Sequence, residues 1–289
     1  MAYLTLPGLS RRAFSLSVAS GAATLLRSAE AEMHWALLSD THIAEDPADQ
    51  SRGFKPHENL KQAVSQLLAA KPQGALVCGD LARNKGLAGD YANLKSILAP
   101  VSSAMPLALA LGNHDDRKNF LASFGTAQQG AQSVRDKHTL VVEGPLARFI
   151  VLDSNQRADI VPGLLGKTQR AWLAEFLQTS SDLPTVIFVH HTLSDGDDAL
   201  LDAPRFFDIV KDQRKVKAIV YGHSHRYGFD LWQGIHLVNL PSVGYNFNDA
   251  EPVGWVEVKL SKTGGAFTLR SLGGNQEKNG KTVVLPWRS

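Results

Sequence analysis

Five short apolar runs in this chain end in polar residues able to bind a cation. Met105-Pro-Leu-Ala-Leu-Ala-Leu111 runs into Gly112-Asn113-His114-Asp115, and Trp35-Ala-Leu-Leu38 into Ser39-Asp40-Thr41-His42. Ala75-Leu-Val-Cys78 runs into Gly79-Asp80, Val186-Ile-Phe-Val189 into His190-His191, and Val216-Lys-Ala-Ile-Val-Tyr221 into Gly222-His223-Ser224-His225. Short apolar runs bounded in this way predict buried strands, and open α/β sheets bind ligands at the carboxyl ends of their strands. One His or Asp at a strand end is ordinarily a cap or a satisfied polar group. Five in series predict a site.

The stretches between the runs supply the other elements. After a polar loop at 43–54, Pro56 opens a helix whose Leu60, Val64, Leu67 and Leu68 share one face, so strand, helix and strand form a parallel βαβ unit. A second helix around Asp90 to Leu98 buries Tyr91, Leu94 and Leu98 and is expected to end at Pro100. A short helix follows Arg117, and the Gln/Gly/Ala-rich residues 126–132 read as a loop. Thr139–Val142 and Arg148–Leu152 form an antiparallel pair across Gly144-Pro145, which begins a second half of the sheet. A helix from Lys167 to Gln178 turns Trp172, Leu173, Phe176 and Leu177 inward. Strands near 235–240, 254–259 and 266–270 are expected to complete the second sheet, while the polar tail from Gly273 to Ser289 carries no pattern. His34, His57 and His138 are expected at the surface. Asp153-Ser154 is placed to hold loops near the site, and Leu193-Ser-Asp-Gly-Asp-Asp198 is a solvated acidic loop or a lid.

A chain of 289 residues with 44% hydrophobic content can bury a sizeable core, and residues 32–289 read as one α/β domain. The net charge of +2 is matched by Arg11, Arg12, Arg27 and Glu30 alone, so the remainder is near neutral and shows no nucleic-acid footprint. Ser10-Arg-Arg-Ala-Phe14 resembles the twin-arginine export motif, and a mildly apolar stretch and Ala29-Glu30-Ala31 follow it. Residues 1–31 are therefore expected to be a signal peptide read by the twin-arginine machinery, which places the mature protein in the periplasm or outside the cell. An ordinary N-terminal helix is the alternative. The apolar part, Phe14 to Leu26, is too short for a bilayer span of about 20 residues. The single cysteine, Cys78, excludes a thiolate metal site and reads as a small core residue.

Imidazole, carboxylate and amide oxygen together suit Mn, Fe, Zn or Ni. Seven potential ligands exceed what a four-coordinate ion uses, which favours two divalent or mixed-valence ions about 3.5–4 Å apart sharing a carboxylate. Because side chains alternate along extended chain, only one of His190 and His191 easily faces the metals, whereas His223 and His225 point the same way.

The order Asp40-x-His42, Gly79-Asp80, Gly112-Asn-His-Asp115, His190, Gly222-His-x-His225 resembles the calcineurin-like metallophosphoesterases over about 190 residues. Gly79-Asp-Leu81, Gly112-Asn-His-Asp-Asp-Arg117 and Gly163-Leu-Leu-Gly-Lys-Thr-Gln-Arg-Ala-Trp-Leu173 are most similar to the bacterial cyclic-nucleotide phosphodiesterase branch. The resemblance implies a two-sheet β-sandwich flanked by helices. It implies that Asp40, His42, Asp80 and His225 bind one metal, that Asp80, Asn113, His190 and His223 bind the other, and that Asp80 bridges them. A hydroxide held between the metals would attack phosphorus, with His114 stabilising the transition state or protonating the leaving oxygen. Asp115 would orient His114 or cap the next helix. The chain departs from many relatives in reading Leu81-Ala82-Arg83-Asn84 where a further acidic residue is common. The expected substrate is a small phosphodiester, such as a cyclic nucleotide or glycerophosphodiester, and export favours a scavenging role. The alternatives are a phosphomonoesterase on the same metals and a non-catalytic scaffold, which would be expected to have lost ligands.

Overall fold

The computed structural model describes residues 4–5, 32–125 and 130–289. Apart from Leu4 and Thr5, the expected signal segment lies outside the described residues, as do 126–129 of the expected loop.

Strands β2 (Met33–Leu38), β3 (Gly74–Cys78) and β4 (Leu107–Ala110) are parallel neighbours, so their carboxyl ends lie along one edge. Helices α1 (Pro56–Ala70) and α2 (Ala88–Ala104) make the crossovers. The strands are buried on both faces, as parallel strands with covered faces require. Trp35, Leu37, Leu76 and Cys78 point one way, into the core between two sheets, while Ala36, Leu38, Ala75 and Val77 point the other way, onto α1 and α2.

α2 runs on past Pro100, against expectation. Pro100 lacks the N–H that would bond the Ser96 carbonyl, but both residues are exposed, so water can serve that carbonyl. The burial of Leu98 and Val101 on either side carries the helix through.

The second sheet starts from β6 (Thr139–Glu143) and β7 (Arg148–Leu152), the antiparallel pair expected from the sequence. β7 is parallel to β8 (Thr185–Val189), β8 to β9 (Val216–Tyr221), and β9 to β11 (Ile235–Asn239). β10 (Gly228–Trp232) pairs antiparallel at one edge, and β5 (Ala131–Gln132) and β1 (Leu4–Thr5) both pair with β6. Helices α4 (Gly166–Thr179) and α5 (Ala203–Val210) cover the outer face. The short helix α3 (Arg117–Phe124) follows β4.

The late strands correct an expectation. β12 (Pro252–Leu260), β13 (Gly264–Gly274) and β14 (Thr282–Pro286) do not extend the second sheet; they join the first, with β12 antiparallel to β2. Val256, Val258 and Leu260 enter the same intersheet core as β8 and β9, so periodicity along β12 was satisfied by either sheet. The tail also has a structural role. The Arg288 guanidinium donates to the backbone oxygens of Val210, Lys211, Gln213, Val216 and Gln233, tying the chain end to the second sheet.

Two histidines expected at the surface are buried. His57 Nε2 lies 2.8 Å from the Ala44 oxygen, because the first turn of α1 packs on the loop leaving β2. His138 Nε2 lies 2.9 Å from the Leu109 oxygen, and its ring meets Phe120 edge to face. His34 is partly buried and pairs with Glu257 at 2.8 Å.

Candidate metal centre

The five runs end together at one edge of the sandwich. Here the chain must reverse sharply so that consecutive polar side chains turn into a common space. The backbone records this: Asp40, His42, Asp80, His223 and His225 all have positive φ, between 47° and 68°. Non-glycine residues adopt that region uncommonly, and strain of this kind gathers at functional sites. Gly79 precedes Asp80 with φ 84°, and a Cβ there would come within 2.6 Å of the His190 ring. A Cβ on Gly112 would collide with the Asp80 carboxylate. Both glycines thus serve close approach as well as turning.

The side chains form three overlapping groups. The ligand atoms of Asp40, His42 and His225 lie within 4.8 Å of one another, as do those of His42, Asp80 and His114, and those of Asp80, His190 and His223. Asp80 belongs to two groups: its Oδ2 is 3.3 Å from His190 Nε2 and 3.9 Å from His42 Nε2. Asp40 Oδ1 is 3.4 Å from His225 Nε2. Asp40, His42, Asp80, His190, His223 and His225 are therefore brought together, with Asn113 lining the same cavity and His114 at its partly exposed side.

Backbone carbonyls aim the imidazoles. The Nδ1–H groups of His190, His225 and His114 face the oxygens of Cys78, Tyr245 and Asn84 at 2.8, 2.6 and 2.9 Å. Each pairing leaves Nε2 turned inward, the arrangement common among metal-ligating histidines. His191 differs. Its Nε2 donates to the Val161 oxygen at 2.9 Å and its Nδ1 accepts from the Ser154 hydroxyl at 2.7 Å, so both ring nitrogens are engaged. It packs beside His223 with ring centres 4.9 Å apart and braces that residue.

Asp115 does not orient His114. Its carboxylate accepts from the backbone N–H groups of Leu81, Ala82 and Gly112 and from the Tyr91 hydroxyl, pinning the turn after β3 to the turn after β4. The cap of α3 is Asp116, which accepts from Asn119 N at 2.8 Å. Burial, together with the nearby charge of Asp80, pushes the Asp115 carboxyl up to about 7, against the pull of its backbone donors. The acidic residue absent near Arg83 is replaced in part by backbone: His114 is held by the Asn84 carbonyl, while Arg83 pairs with Asp49 at 2.8 Å.

The electrostatics favour cations. Burial works to raise both central carboxyls, but the imidazoles outweigh it. His225 and His190 hold Asp40 at about 2, and His190, His114 and His42 hold Asp80 well below the usual range. Burial lowers His42 to about 3 despite Asp80, so its ring is neutral. The Nε2 atoms of His42 and His225 stand 3.0 Å apart. Asn113 Oδ1 is buried with no hydrogen-bond partner, while burial works to lower His190 but the Asp80 carboxylate outweighs it and raises the imidazole to about 9. A buried amide oxygen left unpaired is costly, and here it lies among two buried carboxylates and several imidazoles, so the donor set fits divalent cations. The floor of a cavity of about 770 Å³ is formed by His42, Asp80, Asn113, His114, His223 and His225.

The chain resembles known proteins in sequence and in fold. A probable cyclic nucleotide phosphodiesterase of Ruthia magnifica is 26% identical over 234 residues, covering 78% of this chain and 93% of that protein. The glycerophosphodiester phosphodiesterase of Enterobacter lignolyticus is 26% identical over 227 residues, covering 74% and 80%. The crystal structure of a dimetal phosphatase from Danio rerio superposes with a TM-score of 0.69 at 15% identity, over 89% of this chain and 99% of that one, which shows a shared fold. Residues 33–227 match the family described as calcineurin-like phosphoesterase, and the chain belongs to that family.

Proposed function

We propose that this protein hydrolyses small phosphodiesters at a two-cation centre. The observation that carries the reading is the position of Asp80, shared between ligand groups on the floor of an open cavity. Asp40, His42, Asp80 and His225 would hold one cation, and Asp80, Asn113, His190 and His223 the other. Divalent cations there supply positive charge to the phosphate oxygens and make water a better nucleophile near neutral pH. The protein's own groups do the rest. The Asn84 carbonyl accepts from His114 Nδ1–H and so aims Nε2 at the cavity, where the doubly protonated ring can donate to the departing alkoxide or to a phosphate oxygen. Asp115 holds the turns carrying Asp80 and Asn113 in register. The phosphodiesterase names of the relatives support the diester over the monoester.

The test is a phosphoester panel on metal-reconstituted protein, with elemental analysis of the same sample. About two ions per chain and faster turnover of diaryl than monoaryl phosphates are expected. A stable single ion with full activity removes the two-cation reading, and preference for monoesters makes the protein a phosphomonoesterase.

A further inference from the structure

The cavity over the candidate ligands is larger than a reacting phosphate requires. Its volume of about 770 Å³ lies within the range of small-molecule sites. What stands above its floor therefore selects the alcohol that the ester carries.

The upper part has two chemistries. Ser224 lies between His223 and His225 in the chain, and its hydroxyl accepts from the Asn239 amide at 2.6 Å. That bond leaves the hydroxyl proton for an acceptor in the cavity, which both residues line. Phe247 is of the other kind. Its ring stacks on His225 with centres 4.2 Å apart and planes 21° apart, yet the residue is 51% exposed. Among the large hydrophobic residues left exposed in the described chain, Phe247 and Val161 are the ones that line this cavity.

A cation lies over that ring. The Arg52 guanidinium carbon lies 5.0 Å from the Phe247 ring centre. Arg52 occupies the tip of a tight turn in which Ser51 and Phe54 exchange backbone hydrogen bonds of 2.9 and 2.8 Å. Its φ is 52°, and that of Gly53 is 82°. An arginine in the left-handed region is uncommon, and the turn sets where its side chain leaves the backbone. With His225 stacked on the ring, the flat and exposed Arg52 guanidinium is the layer that meets the solvent, and a flat, electron-rich base can stack on it or take its place on the ring, where glycerol offers nothing comparable.

We propose that Phe247, flanked by Arg52, is a specificity-determining residue that takes the base of a nucleoside phosphodiester while Ser224 and Asn239 meet its sugar. This rests on the phosphodiesterase reading and narrows its substrate class.

The experiment compares metal-loaded wild type, Phe247→Ala, Phe247→Leu and Phe247→Tyr at equal metal content. Two quantities are read: the ratio of kcat/KM for a nucleoside 3′,5′-cyclic monophosphate to that for a glycerophosphodiester, and the affinity for a nucleoside 5′-monophosphate relative to ribose 5-phosphate. Stacking on a base predicts that Ala and Leu lower both ratios by roughly tenfold or more, chiefly through KM, and that Tyr restores them. Restoration by Leu as fully as by Tyr would show that the ring merely covers His225 and would overturn the proposal. Ratios unchanged in all three variants would do the same. If wild type cleaves neither diester, the phosphodiesterase reading fails by itself, and the binding arm still decides whether Phe247 carries a base.

Discussion

His114 Nδ1 lies 2.9 Å from the backbone oxygen of Asn84, and the His114 backbone N–H donates to Asp80 Oδ1 at 2.9 Å. One residue is thus tied to the candidate bridging carboxylate through its main chain while its ring is aimed by a carbonyl.

His114→Ala keeps the backbone bond to Asp80 and should retain the metals while losing turnover by roughly 10²–10⁴-fold. Asp80→Ala should lose metal and activity together. Substrates with good and poor leaving groups separate the roles of His114. A larger loss on the poor alkoxide indicates proton donation, an equal loss indicates charge stabilisation, and retained activity on both excludes the residue.

Asp115→Ala strands three buried backbone N–H groups and leaves the Tyr91 hydroxyl with only the longer bond to the Asp116 oxygen as a donor. A loss of about 3 kcal/mol or more in unfolding free energy is expected, since each unsatisfied buried donor costs on the order of 1–3 kcal/mol. Tyr91→Phe should lose about 1 kcal/mol. Denaturant unfolding measures both, and a neutral Asp115→Ala would show that the turns hold themselves.

His138 sets a pH dependence of stability away from the metal centre. Burial lowers its pKa from the ordinary 6.5, against the pull of Asp153. The unfolded chain therefore takes up a proton near pH 6.5 that the folded protein refuses, so stability present above that pH is lost as pH falls through it toward the folded value. His138→Gln retains a donor for the Leu109 oxygen and should flatten the thermal stability profile below pH 6.5. An unaltered slope would assign the effect to other groups.

Residues 1–31 are proposed to be an export address. Protein beginning at Glu32 should fold and turn over diesters as the full chain does, although it lacks the pairing of Leu4 and Thr5 with Val142 and Glu143. Replacing Arg11 and Arg12 with Lys should retain a fused reporter in the cytoplasm. Loss of folding in the shortened chain would make the segment structural.

The ends of the apolar runs were legible in the sequence because buried strands need continuous hydrophobicity, and because Asp, Asn and His directly after such runs are not needed for packing. The α/β class and the set from Asp40 to His225 follow from that local pattern and from motif order. The partners of those residues do not. The bonds that aim His114, His190 and His225 end on main-chain oxygens of Asn84, Cys78 and Tyr245, and a carbonyl leaves no trace in residue identity. The roles of Asp115 and His191 were decided by turns from distant parts of the chain closing around them, the burial of His57 by the loop leaving β2, and that of His138 by β4 and α3. Tertiary structure alone also decided the sheet that β12 joins, since the intersheet core accepts the same alternating side chains from either side. The aromatic rim at Phe247 belongs to the same class: it exists because the loop after β11 and the turn at Arg52, some 195 residues apart in the chain, meet at one edge of the cavity.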